Sequence, residues 1–143
     1  MTNPFLTKPN YIRIFGHRGA RGEIAENSIE GFKHTFALGI KAVEFDVVIS
    51  KDKIPVLYHY FNLMPYLVKD ESGNWLKNSE LKVFDKSYEE LSKYNIGGLD
   101  PESKHGKRFK EQKLLKNAKI PKLSELLELS LIHISEPTRL RTI

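Results

Sequence analysis

Two acidic residues and a histidine fall close together in a stretch of this sequence whose pattern is typical of a β-hairpin. The run Ala42–Ile49 is rich in β-branched and aromatic residues, which predicts a strand with Glu44 and Asp46 on the same face. A return run, Ile54–His59, follows after a connection that is long enough for a hairpin and too short for a parallel crossover. The hairpin then places His59 opposite Glu44, to within a residue or two of register.

This combination of residue types is suited to binding a cation and moving a proton. Carboxylates on one face repel each other unless a metal ion or a shared proton lies between them. The sequence has no Cys, so any metal must use oxygen or nitrogen ligands, and oxygen donors favour Mg²⁺ or Ca²⁺ over zinc. The hairpin therefore predicts a cluster of two acids and an imidazole.

A glycine-rich loop before the hairpin carries two more candidates for chemistry. Tyr11–Phe15 is short and apolar and predicts a first strand, and Gly16–Gly22 follows with three glycines that let the backbone approach a ligand closely. His17 is able to transfer a proton near neutral pH, and Arg18 is a forked donor suited to phosphate. Taken by itself, such a pair in a loop is more often simply solvated.

A helix is predicted between the loop and the hairpin. Asn27-Ser28-Ile29-Glu30 resembles a capping box with Asn27 as the N-cap, and Gly39 lies where a helix C-terminus is expected. Strand, loop, helix and strand in this order are typical of βα folds, whose site residues gather at the carboxyl ends of the strands. His17 and Arg18 lie at such an end.

Residues 60–119 show no clear helix or strand period and are predicted to be irregular. Ser87-Tyr88-Glu89-Glu90 resembles a second capping box and predicts a short helix. Seven of the 23 Lys and Arg residues fall in the run Lys104–Lys119, in which Phe109 is the one Phe, Tyr or Trp. A base-stacking surface would need more such rings, so the run favours a solvated loop, and no nucleic-acid partner is expected.

Length, composition and charge limit the class of protein. The 143 residues, 40% of them hydrophobic, are enough for one ordinary domain. No stretch has the roughly 20 apolar residues of a membrane span, and no apolar run of signal-peptide length begins the chain. As given, the chain is expected in the cytoplasm, or in the periplasm or outside the cell if the native N-terminus is longer. The net charge of +5 suits an anionic partner, and the oligomeric state is not determined.

The last residues do not continue the pattern of the chain. Pro121 and the leucines after it predict a helix, but residues 130–143 follow without turn chemistry and resemble the translated read-through of a sequencing adapter. We therefore predict a non-native tail. The alternative, a strand at Leu131–Ile134 that delivers Glu136 as a further acid, is disfavoured because Pro137 would end the strand at once.

Four short motifs, taken together, resemble those of the glycerophosphodiester phosphodiesterase family. They occur in the order and at the spacing of the family motifs HRG, PENT, ExD and VxxH: His17-Arg18-Gly19-Ala20, Ala25-Glu26-Asn27-Ser28, Val43-Glu44-Phe45-Asp46-Val47 and Leu57-Tyr58-His59. Ile120–Leu127 is similar to the family's IPTLEEVL helix. An ordered set is far more specific than any single motif, and the resemblance covers residues 11–129.

The resemblance implies an α/β fold and an enzyme. The fold would be the N-terminal half of a TIM-type (β/α) barrel of the PLC-like phosphodiesterase kind, with residues 60–119 as an irregular insertion. The reaction would be the metal-dependent hydrolysis of small-molecule glycerophosphodiesters to an alcohol and glycerol 3-phosphate, with Mg²⁺ or Ca²⁺ as the cofactor. The alcohol headgroup is not specified.

The motif positions also imply roles for individual residues. His17 and His59 would be the catalytic acid and base, Arg18 would bind the substrate phosphate, and Glu44 and Asp46 would be metal ligands. Glu26 and Asn27 match the PENT positions. Glu26 is a candidate metal ligand or a neighbour of the metal ligands, and we assign a capping role to Asn27.

Three departures from the family pattern bear on activity. Ala25 replaces the motif proline, which shapes a turn without doing chemistry. Tyr60 stands where the family often has Asp, so a carboxylate that could orient His59 or assist the metal is missing. The family's third acidic ligand lies on a strand after the helix at Ile120–Leu127, where the predicted tail begins. About half remains of a barrel that needs roughly 250 residues.

Two other functions stay open. The chain as given is expected to be a truncated polypeptide of the enzyme family that has no activity of its own. This alternative is favoured over an active enzyme. A basic module that binds nucleic acid or anionic lipid headgroups without catalysis would account for the net charge. It would not account for Glu44 and Asp46, whose carboxylates would repel such a partner.

Overall fold

A computed structural model describes residues 14–134, with side chains described through residue 130. The structure is mixed α/β, with short elements joined by long turns. In chain order the elements are β1 (Gly16–His17), α1 (Ile29–Ala37), β2 (Val43–Glu44), β3 (Val47–Ile49), β4 (Pro55–Leu57), a 3-10 turn (Val83–Asp85), α2 (Tyr88–Leu91), α3 (Lys104–Arg108) and α4 (Leu123–Ile134).

The first strand pairs with the strand that carries the two acids. β1 and β2 are parallel and α1 connects them, with Gly16 opposite Val43 and His17 opposite Glu44. A Cβ atom at Gly16 would lie 2.6 Å from the backbone oxygen of Gly19, so only glycine fits here without a shift. The prediction of a strand at Tyr11–Phe15 is corrected: the pairing begins at Gly16, and residues 11–13 lie outside the described residues.

The hairpin predicted from the sequence is present, and its register differs by one residue from the expected one. β3 and β4 are antiparallel with Val47 opposite Leu57, and the Tyr58 amide donates to the Asp46 carbonyl at 3.1 Å. The shift is within the one or two residues expected. Continued in this register, the hairpin places Phe45 opposite His59, with Glu44 and Asp46 on either side. The predicted single strand is also interrupted between β2 and β3, so the acids lie at and just beyond a strand end.

Helix α1 begins one residue later than predicted. Its N-cap is Ser28, whose Oγ accepts a hydrogen bond from the Gly31 amide at 3.0 Å. The capping role that we assigned to Asn27 is therefore wrong, because Asn27 adopts a left-handed backbone conformation with φ of 52° that turns its side chain elsewhere. The expected C-terminal glycine is confirmed: Gly39 follows the C-cap residue with φ of +79°.

Two hydrophobic clusters hold these elements, and β4 belongs to both. The small cluster lies between α1, α4 and β4 and has four buried residues: Phe32, Leu57, Leu126 and Leu129. The large cluster has eleven buried residues, most of them from residues 60–119: Val56, Tyr58, Leu63, Leu67, Val68, Val83, Leu91, Ile96, Leu99, Ala118 and Ile120. Because side chains alternate along a strand, Val56 enters the large cluster and Leu57 the small one.

Residues 60–119 are irregular, as predicted, but well packed. Single β-bridges join Asn95 to both Lys69 and Lys119, and α2 begins with the predicted capping box of Ser87 and Glu90. The run predicted to be a solvated loop instead begins with the short helix α3, although its lysines are exposed. No helix within the described part of the chain is long and apolar enough to cross a bilayer.

Helix α4 extends further than the sequence suggests. A helix ending near Leu129 was expected, and α4 continues through Ile134. The alternative strand at Leu131–Ile134 is therefore wrong, and Glu136 lies outside the described residues. The proposal that residues 130–143 are a non-native tail stays a prediction.

Candidate active site

The predicted site residues meet where three strands end. His17 ends β1, Glu44 ends β2, Asp46 precedes β3, and His59 follows β4 by two residues. Each of these side chains contacts another member of the group, and the Arg18 residue contacts three of them. The structure thus brings together all the residues that the motifs singled out, while their catalytic roles stay predictions.

Arg18 lies at the centre of this cluster. Its backbone amide donates to Glu44 Oε2 at 3.1 Å, and its Nη1 donates to Glu26 Oε1 at 2.9 Å. Its Nη2 lies 3.0 Å from His59 Nε2, and its Nε lies 3.3 Å from Asp46 Oδ2 without hydrogen-bond geometry. The residue is only 7% exposed, which contradicts the expectation of a solvated His-Arg pair in a loop.

The backbone of Arg18 explains how one residue reaches so many partners. Its φ of 52° is in the left-handed region, which non-glycine residues rarely adopt. This conformation directs the amide toward Glu44 and turns the side chain under the loop toward Glu26. Backbone conformations of this kind persist when the surrounding contacts over-determine them, and they cluster at functional sites.

Burial and ion pairing act against each other on the charge of Arg18. Burial would lower the pKa of the guanidinium, but the adjacent Glu26 carboxylate and its hydrogen bond outweigh burial and raise the pKa above its ordinary value. Arg18 therefore stays cationic at every physiological pH. A permanent, partly desolvated cation with a forked donor set is suited to an anionic oxygen such as that of phosphate.

Asp46 fixes the orientation of His59. The imidazole Nδ1 lies 2.8 Å from Asp46 Oδ1, and its Nε2 faces Arg18, which has only donors. The ring proton is therefore on Nδ1, donated to Asp46, and Nε2 carries the lone pair. Asn27 Nδ2 donates to Asp46 Oδ2 at 3.1 Å, which is the role the asparagine has in place of capping.

The same contacts keep Asp46 ionised. Burial would raise the pKa of its carboxyl, but hydrogen bonds from His59 and Asn27 and the nearby charge of Arg18 hold the pKa below its ordinary value of 3.8. The prediction that His59 would face Glu44 is thus corrected: the one-residue shift places His59 opposite Phe45, between the two acids, and its imidazole bonds to Asp46.

Glu26 and Arg21 form a second layer below the site. Glu26 is 3% exposed, and its two carboxylate oxygens pair with Arg18 at 2.9 Å and with Arg21 at 3.0 Å. Glu26 therefore orients the arginines and does not face an open site. Sequence reasoning missed Arg21, although a second arginine beside the His-Arg pair in a glycine-rich loop was the available signal.

His17 and Glu44 form the open side of the cluster. His17 Nε2 lies 3.7 Å from Glu44 Oε2, and the two side chains are 61% and 48% exposed. Both groups are accessible to a ligand from solvent, whereas Arg18 and Glu26 lie beneath them.

Residues 60–119 brace the site loop from one side. Gln112 Nε2 donates to the Arg21 carbonyl at 2.7 Å, and the Lys113 amide donates to the Glu23 carbonyl at 2.8 Å. The Arg21 guanidinium carbon lies 5.0 Å from the centroid of the Phe109 ring. The loop that carries Arg18 is thus fixed by contacts over 80 residues distant in sequence.

The carboxylates implied as metal ligands do not complete a metal site as they are arranged. Oxygen donors suit Mg²⁺ or Ca²⁺, but both oxygens of Asp46 are engaged by His59, Asn27 and Arg18. Among the described residues no group of three or more His, Asp or Glu side chains could hold an ion. Ca²⁺ takes six to eight oxygens and Mg²⁺ needs a near-octahedral set, so Glu44 and Asp46 would supply only part of the oxygens around either ion.

Comparison with known proteins gives a consistent result. Residues 17–136 match the model of the glycerophosphoryl diester phosphodiesterase family. The glycerophosphodiester phosphodiesterase of Caldanaerobacter subterraneus subsp. tengcongensis is 32% identical over 116 residues, which are 81% of this chain and 39% of that protein.

Solved structures agree with these sequence matches. A Silicibacter pomeroyi protein assigned as a glycerophosphoryl diester phosphodiesterase has a TM-score of 0.83 at 42% identity, covering 85% of this chain and 41% of that one. An Oleispira antarctica phosphodiesterase, solved with its product sn-glycerol-3-phosphate, has a TM-score of 0.60 at 25% identity over the same shares. The chain thus spans about 40% of the length of these relatives.

Proposed function

Because this chain belongs to the glycerophosphoryl diester phosphodiesterase family, we propose that the complete protein hydrolyses glycerophosphodiesters to an alcohol and glycerol 3-phosphate. The observation that carries the proposal is the meeting of two histidines around a buried, permanently charged arginine at the strand ends. The Oleispira relative supports it, because that enzyme binds glycerol 3-phosphate as its product.

Phosphodiester cleavage needs three things that these residues are able to supply. A new bond forms between phosphorus and the attacking oxygen, which loses a proton, and the bond to the leaving oxygen breaks, which gains one. Charge on the non-bridging oxygens must be stabilised at the same time. We assign the stabilisation to Arg18 and the two proton transfers to His17 and His59.

The contacts of each residue support its assigned role. Nη2 of Arg18, which faces His59, would turn to a phosphate oxygen while Nη1 stays bonded to Glu26. Asp46 holds the Nδ1 proton of His59, so Nε2 is the atom that accepts or returns a proton. His17 faces solvent on the opposite side, where the second proton transfer would occur.

The cofactor is a separate part of the proposal. Glu44 and Asp46 would hold Mg²⁺ or Ca²⁺ in the complete protein together with a further acidic ligand, and the bound ion would neutralise charge on the phosphate. Asp46 would have to release a contact to do so, since both of its oxygens are engaged here. Treatment with a chelator should abolish hydrolysis, and either ion should restore it.

We also propose that the described elements are the first part of a (β/α) barrel. The parallel pair β1 and β2, joined by α1, is the repeating unit of such a fold. The likeness to solved relatives over about 40% of their length supports this assignment.

The proposal is tested by measuring release of glycerol 3-phosphate from glycerophosphocholine by the complete protein with Mg²⁺ or Ca²⁺. His17→Ala and His59→Ala should each lower the rate at least about 10²-fold, the usual loss for a general acid or base. His34→Ala is the matched control, because His34 lies on α1 and bonds Glu23. Unchanged rates in both site variants would remove the histidines from the mechanism.

Salt-dependent binding of nucleic acid without hydrolysis would favour the basic binding module instead.

A further inference from the structure

Tyr60, the residue directly after His59, contacts both the His59 imidazole and the Arg18 guanidinium. It has no part in the proposed mechanism. Its ring lies perpendicular to the His59 imidazole, with centroids 4.4 Å apart and planes at 89°. The Arg18 guanidinium carbon lies 6.0 Å from the centroid of the Tyr60 ring, at about the limit of a cation–π contact. One ring therefore contacts both the proposed base and the proposed phosphate-binding group.

Tyr60 is itself held from the side away from the site. The Tyr66 ring lies edge to face against it, with centroids 6.3 Å apart and planes at 85°. Tyr66 in turn stacks flat on His105, with centroids 4.3 Å apart and planes at 4°. The buried Tyr58 ring lies 6.1 Å from that of Tyr60. These two aromatic neighbours, Tyr58 and Tyr66, restrict the rotamer of Tyr60.

The imidazole of His59 needs such a neighbour for a geometric reason. Its two hydrogen bonds, to Asp46 and to Arg18, both run from ring nitrogens and lie near the ring plane. These two hydrogen bonds fix the positions of Nδ1 and Nε2. They resist rotation of the ring about the line that joins these two nitrogens only weakly. A perpendicular ring at 4.4 Å blocks that rotation.

We propose that Tyr60 is a positioning residue, which keeps the His59 imidazole and the Arg18 guanidinium in the arrangement that hydrolysis requires. The inference rests on the proposed function, and it assigns to Tyr60 no contact with the substrate. The aromatic ring carries both contacts, the perpendicular contact with His59 and the contact with the Arg18 guanidinium. Tyr60→Leu should therefore remove both contacts, and Tyr60→Phe should keep both.

A spectroscopic test does not depend on activity. In the 143-residue chain, nitrogen NMR of the imidazoles should find His59 as the single Nδ1–H tautomer, because Nε2 accepts from Arg18. Tyr60→Leu should lose this single tautomer and give a mixture, whereas Tyr60→Phe should keep it. Tyr94→Leu is the control for loss of a tyrosine ring, since Tyr94 lies over Lys86 and not over a site residue.

A kinetic test checks the positioning role in the complete protein. Tyr60→Leu should lower kcat about 10²-fold, the scale of a misplacement near 1 Å. Tyr60→Phe should keep most of kcat and leave KM for glycerophosphocholine nearly unchanged, because phenylalanine keeps the ring that contacts both residues. Tyr94→Leu should change neither constant, and melting curves show whether each variant is folded.

The outcomes distinguish this inference from the proposed function. Absence of hydrolysis by the unmutated complete protein would refute the proposed function, and the tautomer experiment would still decide on Tyr60. Tyr60→Leu with a single His59 tautomer, or with unchanged kcat and KM in an active enzyme, would overturn the positioning role. Equal effects of Tyr60→Leu and Tyr94→Leu would reduce Tyr60 to an ordinary packing residue.

Discussion

The site and the main hydrophobic core lie in different parts of this chain. Residues 14–59 carry every predicted site residue, yet their cluster with α4 has only four buried side chains. Residues 60–119 carry none of those residues and supply most of a cluster of eleven. The rigidity of the site therefore comes in large part from a region that does no chemistry.

Three contacts connect residues 60–119 with the loop and the hairpin that carry the site. Val56 of β4 is buried in the large cluster, three residues before His59. The Gln112 side chain donates a hydrogen bond to the Arg21 carbonyl in the site loop. Asp52, at the hairpin tip, accepts a hydrogen bond from the Tyr88 amide of α2 at 3.0 Å. Both the loop and the hairpin that carry the site are thus tied to residues 60–119.

The largest expected effect is a difference in stability between the two clusters. Leu91→Ala in the large cluster should lower the free energy of unfolding by about 4 kcal/mol, since leucine truncation in a rigid core leaves a cavity. Leu126→Ala in the small cluster should cost about 2–3 kcal/mol, because its surroundings collapse more easily. Urea unfolding of the chain measures both values.

Equal costs, or a larger cost for Leu126→Ala, would show that the small cluster is the principal core. The contrast between the two regions would then be wrong.

A smaller effect concerns the caps of one helix from each region. Ser28 is fully buried, accepts from Gly31 and donates to the Ala25 carbonyl at 2.6 Å, so Ser28→Ala should cost about 2 kcal/mol. Ser87 caps α2 at the surface, and Ser87→Ala should cost about 0.5–1 kcal/mol. Faster hydrogen exchange of the Gly31 amide in Ser28→Ala would locate the larger loss.

Faster exchange of the Gly31 amide in Asn27→Ala, together with no change in Ser28→Ala, would contradict the corrected assignment of the cap.

The smallest effect is a dependence of stability on pH at the link between the regions. Hydrogen bonds from Ser50 and from the Tyr88 amide hold the pKa of Asp52 below its ordinary value of 3.8. The folded state thus favours the ionised form. The resulting stability is fully present above the unfolded pKa and is lost as pH falls through the lower, folded pKa.

As pH falls from about 6 to about 3, the free energy of unfolding should therefore decrease less for Asp52→Asn than for the unmutated chain. Urea unfolding at each pH measures both. Parallel pH profiles for the two chains would show that this link does not contribute.

Local patterns in the sequence were enough to predict most of the site. The proximity of Glu44, Asp46 and His59 could be predicted because a short hairpin connects their strands and side chains alternate between the two faces of a strand. The residue that bonds to His59 was uncertain, because a one-residue shift in register moves the position opposite His59 from Glu44 to Phe45, between the two acids. Strand periodicity does not fix a register that finely.

Other features could not be predicted because they depend on distant contacts. The burial of Arg18 and the side-chain direction of Asn27 follow from positive φ values, which no residue type at these positions signals. The large cluster is built from turns and single β-bridges and leaves no period in residues 60–119. Tyr60 was noted as a missing carboxylate, and only the structure revealed its contacts with His59 and Arg18.

The central claim is that Arg18 binds the phosphate while Arg21, its neighbour in the same loop, only supports Glu26. The most direct measurement is kcat/KM for glycerophosphocholine in the complete protein carrying Arg18→Lys or Arg21→Lys, with melting temperatures to confirm folding. Arg18→Lys should lose at least about 10²-fold, since lysine lacks the fork, and Arg21→Lys should lose less than about tenfold. Equal losses, or a larger loss for Arg21→Lys, would contradict the assignment of Arg18.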